Sequence, residues 1–323
     1  MKTKQAVFKT IMLKYFLLIA TLLVCVFFAI GEPAFMKITN MLDIFRATTI
    51  IAVVGIGMTV VQSVGEFDFA IGATGSVGAC LIAKIMIEVI PNFWVALVLT
   101  LIAGLLVGYI NSVLVIDIGI RAWIATFGMS TVLGGVCKLL TGGGTYYTMK
   151  WPAGFSTLGQ GYVFTIVPVQ VIVLFILAVI AYIFCERTRT GRFMYAVGAN
   201  PEAAKHVGID CNRQKRVGFL ICSVCATFSG IISASQLGSV SSSICDSNTM
   251  QAICTCMLGA TFLRPGVFNI PGTVLGAFLL SVISNGLTMI GASYFVKDFI
   301  QGAVLIISVG FIALMNKRSS TNR

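Results

Sequence analysis

Apolar stretches about twenty residues long recur down almost the whole of this chain, and a bilayer's hydrocarbon core asks for a helix of about that length. They fall near 11–31, 47–64, 69–90, 93–116, 122–140, 164–184, 217–237, 249–263, 270–290 and 299–316. Of the 323 residues 58% are hydrophobic and only 10% charged, with a mean hydropathy of +0.99. Such a chain cannot clothe a soluble surface. The reading is an all-α integral membrane protein of about ten transmembrane helices, forming one domain over 1–323. The first stretch is too long, and lacks the small-residue cleavage site, to be a removable leader, so it is expected to stay as an anchor.

The formal charge of +11 invites a nucleic-acid reading, but here the basic residues punctuate apolar spans and do not gather on a soluble face. The charge is better read as topology. With the N-terminus cytoplasmic, the basic residues at 2, 4, 9, 14, 121, 187, 189, 192, 205, 213, 215, 216, 264, 317, 318 and 323 fall inside, and only those at 37, 46, 84, 138, 150 and 297 fall outside. That bias places both termini in the cytoplasm of a cell carrying the protein in its plasma or inner membrane.

The one long polar interval runs over 186–216 and holds basic residues at 187, 189, 192, 205, 213, 215 and 216 as well as the single histidine, His206. Within it, Asn200-Pro201-Glu202 reads as a helix start and Gly208 as its end, which predicts a helix of about two turns near 200–207. Glu202 then sits where the helix dipole favours a negative charge. So short a helix needs its flanks or a partner to hold it.

Ten cysteines include the spacing Cys222-Ser223-Val224-Cys225 and the group Cys245, Cys254 and Cys256. They lie in or beside apolar spans without His or acidic companions, so packing is expected and no metal site is assigned. Gly72, Gly75 and Gly78, Gly104 and Gly108, and Gly272 and Gly276 recur at helical spacing and read as helix contact faces. Asp68 falls at the cytoplasmic start of the third span, where a carboxylate can cap free amides. Asn111 and Asn285 lie inside spans and must find a partner or water. Tyr146, Tyr147, Trp151 and Phe155 in the outward stretch 144–161 read as an interfacial aromatic belt.

Several of these stretches together resemble the permeases of bacterial ABC importers, in the ribose/xylose/galactoside branch. The run Gly191-Arg192-Phe193-Met194-Tyr195-Ala196-Val197-Gly198-Ala199-Asn200-Pro201-Glu202-Ala203-Ala204-Lys205-His206-Val207-Gly208-Ile209 is similar to their cytoplasmic coupling loop. Gly65-Glu66-Phe67-Asp68-Phe69-Ala70-Ile71-Gly72 and Trp123-Ile124-Ala125-Thr126-Phe127-Gly128-Met129 are similar to two further marks of the branch. The likeness covers about 47–315. It departs from the family at Leu263-Arg264-Pro265-Gly266, where a Gly-Gly pair is usual, and at Thr249, where a Glu is usual. The resemblance implies a type II importer architecture of two inverted five-helix halves, and a weak echo of Gly75-Ser76-Val77-Gly78-Ala79 in Gly272-Thr273-Val274-Leu275-Gly276-Ala277 agrees with an internal repeat.

On that resemblance the ATPase-coupling residues are Gly191, Arg192, Asn200, Pro201, Glu202, Ala203, Ala204, Lys205 and Gly208. Asp68, Asn111, Thr126 and Asn285 are candidates for the path or its gate. No Gly-x-x-x-x-Gly-Lys-Ser/Thr loop is present, so ATP falls to a separate ATPase subunit and the chain itself needs no cofactor and catalyses no reaction. Nor is there an intramembrane row of Asp, Glu or His of the kind that carries ions in a secondary carrier, the competing reading along with a channel. The expected partners are the ATPase, an extracytoplasmic binding protein, the lipid bilayer and a second permease, either identical or paralogous. The expected cargo is a sugar or sugar-like molecule, with a nucleoside or an autoinducer as alternatives.

Overall fold

The computed structural model describes residues 15–148, 150–164 and 166–321, and the start of the first expected span and the charges at 2, 4, 9, 14 and 323 lie outside them. The contacts divide the chain into two compact bodies, one made of the residues up to Gly55 with those from Gln251 onward, the other of Ile56–Met250.

The first body opens with α1, Phe16–Gly31, which stops where Glu32 turns the chain into a short 3-10 turn, Pro33–Met36. There the Glu32 carboxylate accepts the Ala34 amide at 3.2 Å. It continues into the first part of α2, Ile38–Ser63. Phe28, Phe35, Ile44, Val282 and Leu287 form one of its buried cores. Its remaining helices are most of α11, Asn248–Gly259, with α12, Ile270–Met289, and α13, Tyr294–Thr321. Asn269 organises the turn between α11 and α12. Its Oδ1 accepts the Gly272 amide at 2.8 Å, while its Nδ2 donates to the carbonyls of Gly259, Phe262 and Val267.

The second body is built on α10, Cys211–Leu237, packed against α3, Ile71–Lys84, and α4, Phe93–Ser112. The glycines make this possible. A side chain at Gly75 would meet the Ala226 carbonyl, one at Gly78 would meet Thr227, and one at Gly108 would meet Ser223 and the Phe219 carbonyl. With little hydrophobic drive between helices in lipid, such backbone approach supplies the dispersion contact. Both α3 and α4 loosen into a wider π turn at their C-terminal ends, Ile85–Val89 and Val113–Asp117. The body is completed by α5, Ala122–Thr141, β1, Thr145–Tyr147, α6, Ala153–Gln160, the strand pair β2, Tyr162–Val163, and β3, Val167–Pro168, and α7, Val169–Arg187.

Among the described residues seven helices are long and apolar enough to cross a bilayer: α2, α3 with its π turn, α4 with its π turn, α5, α7, α10 and α12. The chain is therefore a multi-pass, all-α membrane protein. The expected second span is part of a longer helix than the hydropathy suggested. The expected eighth span, 249–263, is shorter than a crossing: α11 has 12 residues, about 18 Å at 1.5 Å per residue.

Ahead of α11 the chain is irregular. After α10, the strand β4, Ser239–Ser241, pairs antiparallel with β1, Tyr146 opposite Val240. From there the backbone runs beside α3 against its direction. The Cys80 thiol donates to the Ser241 carbonyl at 3.7 Å, the Cys245 amide donates to Ser76 Oγ at 3.0 Å, and the Gly72 amide donates to Thr249 Oγ1 at 3.1 Å. From Cys80 to Gly72 is roughly 12 Å along the helix axis. The chain from Ser241 to Cys245 covers about half of that depth in turns, and the first turn of α11 reaches Gly72.

The aromatic belt expected over 144–161 is only partly there. Phe155 is buried, its ring 4.9 Å from that of Trp151, and Trp151 Nε1 donates to the Gly238 carbonyl at 2.9 Å. Tyr146 donates to Glu88 at 2.7 Å. These rings close the end of the helix packing, and Tyr147 alone of the four stands well exposed.

Candidate functional site

The polar interval 186–216 is not an open loop. Arg187 ends α7, and Thr188 Oγ1 then accepts the Gly191 amide at 3.1 Å, capping a second helix, α8, Arg189–Ala199. Sequence reading missed α8, which is far shorter than the spanning runs and carries Gly191 and Gly198, residues that weaken a helix interior. Pro201 cannot extend α8, so the axis breaks at Asn200. Asn200 Oδ1 accepts the Ala203 amide at 3.0 Å and caps α9, Pro201–His206, the short helix that the sequence announces. Glu202 lies in its first turn and Lys205 and His206 in its last, the arrangement the dipole favours. Gly208 closes it at φ +81°, its amide donating to the Lys205 carbonyl at 3.0 Å. Asp210 Oδ1 then accepts the Arg213 amide at 3.0 Å and caps α10.

This helical knob shows one face to solvent and rests on the other. Glu202, Lys205, His206 and Val207 are exposed, Val207 to 75%, while Ala204, Met194 and Val197 are buried. It is seated through glycine: a side chain at Gly198 would strike the Ser63 carbonyl, and one at Gly191 the carbonyls of Phe184 and Cys185. Gly191, Arg192, Asn200, Pro201, Glu202, Ala203, Ala204, Lys205 and Gly208 therefore all belong to α8, α9 and their caps.

The surface under the knob is the turn between α2 and α3. Glu66 in that turn is ion-paired with Lys215 at 2.6 Å, and Arg216 holds both carboxylate oxygens of Asp117 at 2.8 Å while lying 5.8 Å over the Tyr109 ring. Lys215 and Arg216, which the sequence offers only as inside charges that set topology, thus bind carboxylates at this end of the protein. Their opposite charges were visible in the sequence, but nothing in it paired residues so far apart. An open pocket of about 370 Å³ lies alongside, lined by Glu66, Phe67, Arg121 and Trp123 among others.

Asp68 is fully buried in the same turn. Its Oδ1 accepts the Ala70 amide at 2.9 Å just ahead of α3, so it caps the approach to that helix. Burial pushes its carboxyl up to about 6, against the Ala70 amide and the Cys222 and Asn111 side chains, which favour the ionised form. Thr126, also buried, ties α5 to this turn: its Oγ1 accepts the Phe69 amide at 2.9 Å and donates to the Ala122 carbonyl at 2.7 Å. Asp68, Asn111 and Thr126 thus come together within the second body, whereas Asn285 belongs to α12 in the first. Cys222 is buried and Cys225 partly so; a side chain at Gly57 would meet Cys225 Cβ and the Cys222 carbonyl. Among the described residues no three His, Cys, Asp or Glu side chains are gathered to hold a metal ion.

The class these features define is a multi-pass, mainly helical membrane protein that carries a compact polar knob. Residues 40–309 match the family of permease components of branched-chain amino acid transport systems, and the chain belongs to that family. It is 31% identical over 299 residues to the ribose import permease protein of Escherichia coli, covering 90% of this chain and 91% of that one. It is 31% identical to the autoinducer 2 import system permease protein of an Enterobacter species, over 85% of this chain and 79% of that one. To the D-allose transport system permease protein of Escherichia coli it is 26% identical, over 93% and 91%.

Proposed function

We propose that this chain is the membrane-spanning, non-catalytic subunit of an ATP-driven importer that moves a sugar or sugar-like molecule from an extracytoplasmic binding protein into the cytoplasm. The observation that carries the reading is the exposed face of α9 on a knob fixed to the end of the transmembrane body. An ATPase cleft closing around Glu202, Lys205 and His206 would pull on Ser63–Asp68 through Gly198 and the Glu66–Lys215 pair. Differential grip on that knob in two nucleotide states is enough to shift the populations of inward- and outward-open forms. In this reading ten spans form two inverted halves, both termini are cytoplasmic in a bacterial inner membrane, and two permeases pair because two ATPases need two knobs. Asp68, Asn111, Thr126 and Asn285 then serve the path or its gate. The names of the relatives favour a pentose, a hexose or autoinducer 2 as cargo.

The test is reconstitution of the chain with its ATPase and binding protein in vesicles, followed by uptake of labelled D-ribose, D-allose and autoinducer 2. ATP-dependent uptake of any of these is expected. Uptake that persists without ATP and the ATPase would replace the reading by a secondary carrier. A single thiol near Lys205 should react only from the cytoplasmic side and one near Lys150 only from outside.

A further inference from the structure

A second cavity, of about 310 Å³, opens between α3, α5 and the irregular chain ahead of α11. Its polar lining is Ser76, Ser130, Thr131, Ser242, Asp246 and Thr249, and the Phe69 and Phe127 rings also face it. None of the residues suggested as path from sequence lies on this wall. Thr126 turns inward, and its neighbour Phe127 takes the cavity side, 65% exposed.

Two features make this a solute site and not a lipid-facing dent. The chain from Ser241 descends in turns to Ser247 and then enters the first turn of α11, the whole lying beside roughly 12 Å of α3. Non-helical backbone at membrane depth persists only where it is buried in protein or faces water. The Asp246 carboxylate on the same wall calls for water or a polar partner for the same reason. Broken helices of this kind are where transporters bind their cargo.

The hydrogen-bonding inventory names the chemistry. Ser130 and Thr131 direct their hydroxyl hydrogens to the Phe127 carbonyl at 2.7 and 3.5 Å, so each turns an accepting oxygen outward. Thr249 already accepts the Gly72 amide, so its hydroxyl hydrogen is left to donate. Asp246 is exposed and accepts only. No Lys or Arg is on the wall, which disfavours an anion. The volume is at the small end of the ~300–1,000 Å³ of small-molecule pockets.

We propose that this cavity is a way-station for a neutral, polyhydroxylated small molecule, its hydroxyls bonded to Asp246, Thr131 and Thr249 and its C–H faces laid on Phe69 and Phe127. This rests on the importer reading above and adds to it where the cargo passes and which chemistry is checked there. Thr131→Cys and, one residue round the same helix, Val132→Cys are compared in the assembled importer, with labelled D-ribose as probe and a charged methanethiosulfonate reagent added from either side. Thr131→Cys should lose at least tenfold of its uptake on modification and be protected by D-ribose during turnover. Val132→Cys, on an exposed apolar position, should lose less than twofold, as should the unaltered protein. Equal sensitivity of the two variants, or modification of Thr131→Cys without protection, overturns the cavity assignment while leaving the importer reading intact. Failure of the unaltered importer to move D-ribose, D-allose or any other neutral polyol overturns both. Asp246→Leu should cut uptake at least tenfold, and Asp246→Asn, which still accepts through Oδ1, by less than threefold; equal rates for the two would remove Asp246 from the site.

Discussion

Lys215 Nζ lies 2.6 Å from Glu66 Oε1, joining the first turns of α10 to the turn between α2 and α3, with 26% and 17% of the two side chains exposed. The pair thus bridges the end of the polar interval and the segment that carries Asp68. Partly shielded, it is worth more than the surface median but less than a buried pair, about 1–2 kcal/mol. Thermal unfolding in detergent of Glu66→Gln, Lys215→Met and the double variant should give a coupling energy of that size. Strictly additive shifts would show that the contact contributes nothing.

The seat of the knob at Gly198 predicts a sharper effect. A methyl group there meets the Ser63 carbonyl, which is backbone and cannot swing aside. Gly198→Ala should therefore destabilise or displace α8 by about 1–3 kcal/mol, the usual cost of overpacking. ATPase co-purifying with the permease should fall several-fold. Full recovery of the complex with stimulated ATP hydrolysis would disprove this seat.

Glu202→Lys tests the exposed face itself. It reverses a charge in the first turn of α9, with a helix-dipole cost of about 0.3–1 kcal/mol. Recovery of ATPase on the variant should drop while the melting temperature of the permease alone moves little. An unchanged complex would take α9 out of the contact.

The local parts of this design were legible and the nonlocal ones were not. Asn200, Pro201, Glu202 and Gly208 specify α9 through chemistry confined to a few neighbours, and the apolar runs announce the spanning helices. By contrast, the Gly72 amide and Thr249 Oγ1, which set the first turn of α11 beside α3, are 177 residues apart. The apolar content of Ala260, Phe262 and Leu263 looks the same in a helix as in a turn, so the expected eighth span, 249–263, runs past the end of α11 at Gly259. The glycine faces were found because small residues repeat at helical spacing, but the partner of each face became visible only in the packing.

Asp68 gives a prediction in pH. Its carboxyl rises from 3.8 to about 6 in the folded protein, chiefly through burial. The native state therefore holds the proton more tightly than the unfolded one, and stability falls as pH rises between about 4 and 6. Above 6 the loss is complete, at roughly 3 kcal/mol for a rise of that size. Asp68→Asn keeps an oxygen for the Ala70 amide and removes the titration. Melting temperatures in detergent from pH 4 to 7.5 should show native protein losing ground to Asp68→Asn up to pH 6 and running parallel above it. Parallel curves throughout would mean that Asp68 is ionised in the fold at acidic pH.

Leu263 opens the run Leu263-Arg264-Pro265-Gly266, where the family resemblance places a Gly-Gly pair, and the backbone shows why glycine suits such a turn. The φ of Leu263 is +60°, and Gly266 three residues on is at +85°. A left-handed conformation costs a side-chain-bearing residue about 1–2 kcal/mol, because Cβ crowds the following carbonyl. The turn is held regardless, since Asn269 Nδ2 donates to three of its carbonyls. Leu263→Gly releases that strain, loses a half-buried side chain and adds freedom to the unfolded chain, which together leave a shift within about 1 kcal/mol. Gly266→Leu adds strain with no such offset and should lower stability by at least about 1 kcal/mol. Melting both variants in detergent decides the matter: a Leu263→Gly protein that unfolds as early as Gly266→Leu would show that the Leu263 side chain, and not its backbone, is what this turn depends on.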